Sequence, residues 1–186
     1  MCRNMEGGLH MNVPNKLTLL RVLLIPLFVI AMMVPMFAGQ EWLALAIFVA
    51  AAVTDILDGQ IARRCNLITD FGKFMDPLAD KLLVCAALVC LVELGRVPGW
   101  MVIVIISREF AISGFRLIAA NKGTVIAAGW LGKIKTVLQM VAIGMLIPNL
   151  PALSVITTIV LWAAVIMTIV SLIDYIVRNR EVIRDM

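Results

Sequence analysis

Six runs of about twenty mostly apolar residues follow one another along this chain of 186 residues, at roughly 17–37, 42–63, 74–94, 100–120, 130–147 and 153–177. A helix of that length matches the hydrocarbon thickness of a bilayer, so each run is long enough to be a membrane span. The connections alternate in character. Those at 38–41, 95–99 and 148–151 are short turns with glycine or proline, and the others are longer and basic. Only Arg96 of the 16 Lys and Arg residues falls in a short turn. That asymmetry puts the basic loops and both termini on the cytoplasmic side. Composition agrees, with 62% apolar and 15% charged residues where a soluble domain has about 45–50% and about 25%.

The start of the chain differs from the rest. Residues 1–10 are polar, lack the order of a signal peptide, and are read as a leader or remnant outside the domain, which runs from 11 to 186. Asn15 and Thr18 are candidates to cap the first helix. Pro26 and Pro35 are expected to bend or break it, and a short N-terminal stretch is expected to lie in the interface before the span. Trp42, Trp100 and Trp130 fall near the ends of runs, where interfacial indoles belong. Cys2, Cys65, Cys85 and Cys90 have no zinc-site spacing and read as reduced thiols. His10, the single histidine, lies in the leader. Acid–base chemistry would therefore fall to carboxylates. The net charge of +4 reflects topology and attraction to anionic headgroups; with no basic helix interleaved with aromatics, nucleic acid is not an expected partner.

Four aspartates, Asp55, Asp58, Asp76 and Asp80, sit at the inner ends of the second and third runs. A charge within a span costs roughly 2.5–3.5 kcal/mol on insertion scales, so the cluster needs compensation. At helical spacing Asp55 and Asp58 are about 60° apart, with Gly59 and Ala62 on the same stripe. Gly72, Asp76 and Asp80 form a second stripe at i, i+4 and i+8. Two carboxylate pairs without histidine or thiolate are hard oxygen donors that suit Mg²⁺, Mn²⁺ or Ca²⁺ and not zinc, two ions matching four negative charges. Such a pair of ions can clamp the attacking and leaving oxygens of a phosphoryl displacement. Gly59 and Ala62 would let a nucleotide approach the helix backbone, or simply ease helix packing. Salt bridges to Arg63, Arg64, Lys73 and Lys81 are the structural alternative, and cation transport by the acids is the functional one. Clustering at one mouth, instead of mid-bilayer in matching halves, disfavours transport.

The stretch Asp55-Ile-Leu-Asp58-Gly59-Gln-Ile-Ala62-Arg63, with Gly72, Asp76 and Asp80 following at fixed spacing, resembles the signature of the CDP-alcohol phosphatidyltransferases. The resemblance implies that Asp55, Asp58, Asp76 and Asp80 bind two divalent ions, with Asp58 bridging both. It further implies that Asp80 is the general base, and that Asp55, Asp58, Gly59, Ala62, Arg63 and Gly72 line the site for CDP-diacylglycerol. The reaction implied is attack of an acceptor hydroxyl on the β-phosphorus, with CMP leaving. A homodimer is implied on the same ground.

Acceptors in this family differ, and a phosphorylated one needs cations aimed at its phosphate. Arg108 and Arg116 in the fourth run and Lys133 and Lys135 in the fifth are the candidates. Pairing of Arg108 with Glu109 or the aspartates is the alternative. The stretches Asn15-Lys-Leu-Thr18-Leu-Leu-Arg21, Ser107-Arg108-Glu109-Phe110 and Gly132-Lys133-Ile-Lys135-Thr136 resemble the family members that use sn-glycerol 3-phosphate. On that resemblance Thr18, Arg21 and Ser107 are weaker candidates for the same role, and another alcohol remains the alternative. Glu41, Glu93 and Arg96 read as ordinary outer-face charges. The expected architecture is an all-α polytopic protein of the cytoplasmic (inner) membrane. Its six transmembrane helices surround a polar cavity open to the cytoplasm and laterally to lipid.

Overall fold

In a computed structural model of the protein, the backbone is described for residues 13–65, 70–121 and 129–180, and side chains for 20, 22–54, 81–119 and 129–180. Among the described residues the secondary structure is helical. It comprises α1 (Val13–Met33), α2 (Gln40–Cys65), α3 (Asp70–Glu93), α4 (Gly99–Asn121), α5 (Trp130–Leu146), a 3-10 turn (Pro151–Leu153) and α6 (Ser154–Arg178). The chain forms two compact units, Met1–Cys90 and Leu91–Met186.

In the first unit α1 packs against α2. Small residues make the approach possible, since Ala31, Ala44 and Ala51 are buried, and the rings of Phe28 and Phe48 meet at 5.9 Å between centroids. α1 begins earlier than its apolar run. Asn15 and Thr18 lie inside the helix and do not cap it, because Pro14 occupies the first turn, where a missing N–H leaves no bond unmade. Pro26 is accommodated within α1, whereas Pro35 falls just after its end. Gly39, at φ 84°, makes the turn into α2, and the Met36 N–H donates to Gln40 Oε1 at 2.6 Å.

The second unit opens with the close of α3. Gly95 adopts φ 67°; its N–H donates to the Val92 carbonyl and the Arg96 N–H to the Leu91 carbonyl, both at 2.9 Å. This is the Schellman arrangement, which favours glycine at the left-handed position and is followed here by Pro98. Arg96 then reaches further than an ordinary surface charge. Its Nη1 donates to the carbonyls of Leu146, at 3.2 Å, and Ile147, so it caps the C-terminus of α5. A cation suits that end of the helix dipole. α6 packs against both α5 and α4, and Trp100 of α4 meets Trp162 of α6 at 5.7 Å.

Polarity in α6 is inverted relative to a soluble helix. Its buried face includes Thr157, Thr168, Ser171 and Tyr175, while Val155, Ile159, Ile166, Ile173 and Val177 are exposed. Thr168 and Ser171 satisfy their hydroxyls locally, donating to the carbonyls of Ala164 and Thr168. Side chains that shed water outward and hydrogen-bond inward fit a lipid solvent. Residues Pro151–Arg178 form a helix long and apolar enough to cross a membrane, and shorter apolar stretches occur at Val22–Met33 and Gln40–Thr54.

Candidate functional site

The specified residues of the aspartate signature lie on helical backbone. α2 carries Asp55, Asp58, Gly59, Ala62 and Arg63, and α3 carries Gly72, Asp76 and Asp80. The helical periodicity invoked for these residues therefore holds in both stretches. Their side chains lie outside the described residues, as do those of Thr18 and Arg21 on α1. The donor set itself, four carboxylates on two helices, has the chemistry of a site for hard divalent cations.

In the second unit the candidate cations separate into two groups. Arg108 on α4 and Lys135 on α5 are buried together around Glu109. Arg108 Nη1 donates to Glu109 Oε1 at 3.0 Å, and Lys135 Nζ donates to the same oxygen. The guanidinium lies against Gly132 in the first turn of α5, where a Cβ would stand 3.4 Å from Arg108 Nη2, at the near limit of ordinary contact. The pairing of Arg108 with Glu109 is thus real, but one carboxylate serves two cations. Among the described residues, Arg108 Nε is buried with no hydrogen-bond partner. Such a place suits an additional anion.

Lys133, two residues before Lys135 and so about 200° around the helix, is exposed with its Nζ 4.7 Å above the Trp130 ring. That contact is a cation–π pair at the end of α5. Ser107 is likewise exposed. Arg116 is exposed on α4 two turns beyond Arg108. Tyr175, the sole tyrosine, packs from α6 against Ile112 and Ala119. At the same end Asp174 pairs with Arg178 at 2.7 Å and approaches the N-cap of α5, where a Cβ on Gly129 would lie 3.7 Å from its Oδ2.

The role of Glu109 as a shared partner, and the burial of Gln139 and Tyr175 near the cations, were not apparent in the sequence reading. Gln139 had a signal, its i+4 spacing from Lys135. Tyr175 had another, as a lone phenol at the end of an apolar run.

Comparison with known proteins adds independent evidence. The chain is 48% identical over 188 residues, 93% of this chain and 97% of the relative, to the CDP-diacylglycerol--glycerol-3-phosphate 3-phosphatidyltransferase of Bacillus subtilis. It is 43% identical to the protein of the same name in Haemophilus influenzae, over 89% of this chain and 91% of the relative. A probable phosphatidylglycerophosphate synthase of Mycobacterium tuberculosis is 39% identical, over 90% of this chain and 81% of the relative. The profile of one family, described as CDP-alcohol phosphatidyltransferase, covers residues 11–170, both helices of the aspartate signature and the Arg108–Lys135 cluster among them. With helices, signature and relatives in agreement, the chain belongs to the CDP-alcohol phosphatidyltransferase family.

Proposed function

We propose that the protein transfers the phosphatidyl group of CDP-diacylglycerol to sn-glycerol 3-phosphate, releasing CMP and phosphatidylglycerophosphate. The observation that carries the acceptor assignment is the buried pair of cations, Arg108 and Lys135, with Arg108 Nε left unpartnered among the described residues. The Arg108 Nε–H is a charge-assisted donor for a phosphate oxygen. The names of the relatives support the same acceptor. In this reading the phosphate is held by Arg108 and Lys135, while Arg116 and Lys133, both exposed, draw the anion toward the site. Thr18, Arg21 and Ser107 are secondary candidates on α1 and α4.

Asp55, Asp58, Asp76 and Asp80 would hold two Mg²⁺ or Mn²⁺ ions, which supply charge neutralisation at the diphosphate and at the leaving CMP. Gly59 and Ala62 leave the α2 backbone open to the nucleotide, and Arg63 and Gly72 flank it. Asp80 takes the proton from the primary hydroxyl of the acceptor. That oxygen forms a bond to the β-phosphorus, the bond from this phosphorus to the CMP oxygen breaks, and the proton leaves through Asp80.

The helix lengths and the apolar exposed face of α6 support membrane spans, and the basic loops support cytoplasmic termini; six spans around a cavity open to the cytoplasm, in the inner membrane, complete this reading. Lateral access keeps the donor's acyl chains in lipid. The protomer is read as half of a homodimer. The test is CMP release by purified protein with CDP-diacylglycerol, Mg²⁺ and a panel of alcohols. Release that requires glycerol 3-phosphate and is lost in Asp80→Asn is the expected result. Release with a different alcohol alone would overturn the acceptor, and sodium flux without nucleotide would point to transport.

A further inference from the structure

Among the described residues, three buried polar atoms of the second unit have no hydrogen-bond partner: Arg108 Nε, Gln139 Oε1 and the Tyr175 hydroxyl. A buried polar group left unmade costs about 1–3 kcal/mol, so native chains keep few, and a ligand is one source of the missing partner. Arg108 already belongs to the cation cluster. Gln139 has no role so far. It is only 4% exposed and stands one turn beyond Lys135 on the same face of α5. The buried residues that follow on that face are Ala142, Ile143 and Leu146. From the Trp130 end, then, the buried stripe offers an ammonium, then an amide, then hydrocarbon.

The order is chemically informative. A phosphate accepts hydrogen bonds and is drawn to Lys135 and Arg108, but an amide oxygen repels it and accepts from a hydroxyl instead. The four residues from Lys135 to Gln139 rise about 6 Å along the helix, which two long side chains can narrow to the span of a three-carbon phosphate ester. The stripe therefore complements a small molecule with a phosphate at one end and a hydroxyl further along.

We propose that Gln139 is a specificity-determining residue of the acceptor site, its Oε1 accepting a hydrogen bond from the secondary hydroxyl of the acceptor. This inference rests on the glycerol 3-phosphate reading above and deepens it. Gln139 takes no part in bond making; it distinguishes an acceptor that carries the second hydroxyl from one that does not. A site built to bond a hydroxyl rejects the analogue lacking it, because its own polar group is then left unpaired.

The experiment compares CMP release with glycerol 3-phosphate and with 3-hydroxypropyl phosphate, the same ester without the secondary hydroxyl, in the full chain and in Gln139→Met. The unsubstituted protein is expected to prefer glycerol 3-phosphate by roughly 10- to 100-fold in kcat/KM. Gln139→Met should lose most of that preference by falling on glycerol 3-phosphate while holding its rate on the analogue. Equal falls on both alcohols would give Gln139 a merely structural role and overturn the proposal, as would the absence of any preference in the unsubstituted protein. Should Gln139→Met fail to fold, Gln139→Asn withdraws the amide by one methylene. A reduced preference there supports the proposal, and an unchanged one overturns it. Failure of the unsubstituted protein to turn over glycerol 3-phosphate at all would overturn the acceptor reading and this inference with it. That outcome is distinct from turnover whose preference survives substitution.

Discussion

Lys135 on α5, 1% exposed, and Glu109 on α4 share a hydrogen bond across two helices, and the same Glu109 oxygen accepts from Arg108. One carboxylate thereby holds two cations in place. Breaking a buried pair from one side is costly because the other charge is left without a partner. Glu109→Gln should therefore destabilise the protein by on the order of 3 kcal/mol, measured as a fall in the unfolding midpoint in detergent. Lys135→Met removes the buried charge itself and should be much better tolerated in stability, yet raise the KM for glycerol 3-phosphate at least tenfold, about 1.4 kcal/mol. Equal stability losses in the two variants would contradict this account of the pair.

Gly132 sets how closely Arg108 can lie against α5. Gly132→Val places branched carbon where only 3.4 Å separates a Cβ from Arg108 Nη2. The guanidinium must shift, and the acceptor KM should rise roughly tenfold, while the KM for CDP-diacylglycerol stays within twofold. Steady-state kinetics with each substrate varied in turn would show it. A parallel rise in both constants would mean that the bundle, not the acceptor site, had been disturbed.

Arg96 offers a contrasting case, since it has no proposed contact with either substrate. Arg96→Met deprives the Leu146 and Ile147 carbonyls of their donor. The expected loss is about 1–3 kcal/mol, or several degrees in Tm at about 2–4 °C per kcal/mol for a chain of this size. kcat at a temperature well below Tm should be unchanged.

Chelation tests the aspartates. EDTA should abolish CMP release, with Mg²⁺ or Mn²⁺ restoring it, since four carboxylates without nitrogen or sulfur ligands favour hard ions. Asp58→Asn should remain inactive at any metal concentration that restores the parent protein. Activity that persists in EDTA would remove the assignment of Asp55, Asp58, Asp76 and Asp80 as ligands.

Much of this was legible in the chain because long apolar helices are written in long apolar runs. The positions of all six helices follow from those runs, and Gly95 with Pro98 marked the end of α3. The start of α1 was misplaced because Asn15 and Thr18 look like caps, while the preference of Pro14 for a first turn was the stronger signal. The separation of Lys133 from Lys135 follows from helical angle alone, although the resemblance grouped them. Glu109 as the partner of Lys135, 26 residues away, could not be read, since it depends on how α4 and α5 meet in space. Arg96 was read as an ordinary surface charge for the same reason: its partners are carbonyls, which every residue has and no sequence pattern marks.

The grip of Arg96 on the last carbonyls of α5 has a mechanical consequence. α5 is fastened at that end by Arg96 and nearer its other end by the bond from Lys135 to Glu109. Sliding along its own axis would strain both fastenings at once. A slip of one turn, about 5.4 Å, would bring Gln139 to the level of Lys135 and set an uncharged amide against Glu109 and Arg108. The two clamps thus fix α5 lengthwise like a ruler pinned at both ends, and the order of charge and amide along it keeps its meaning.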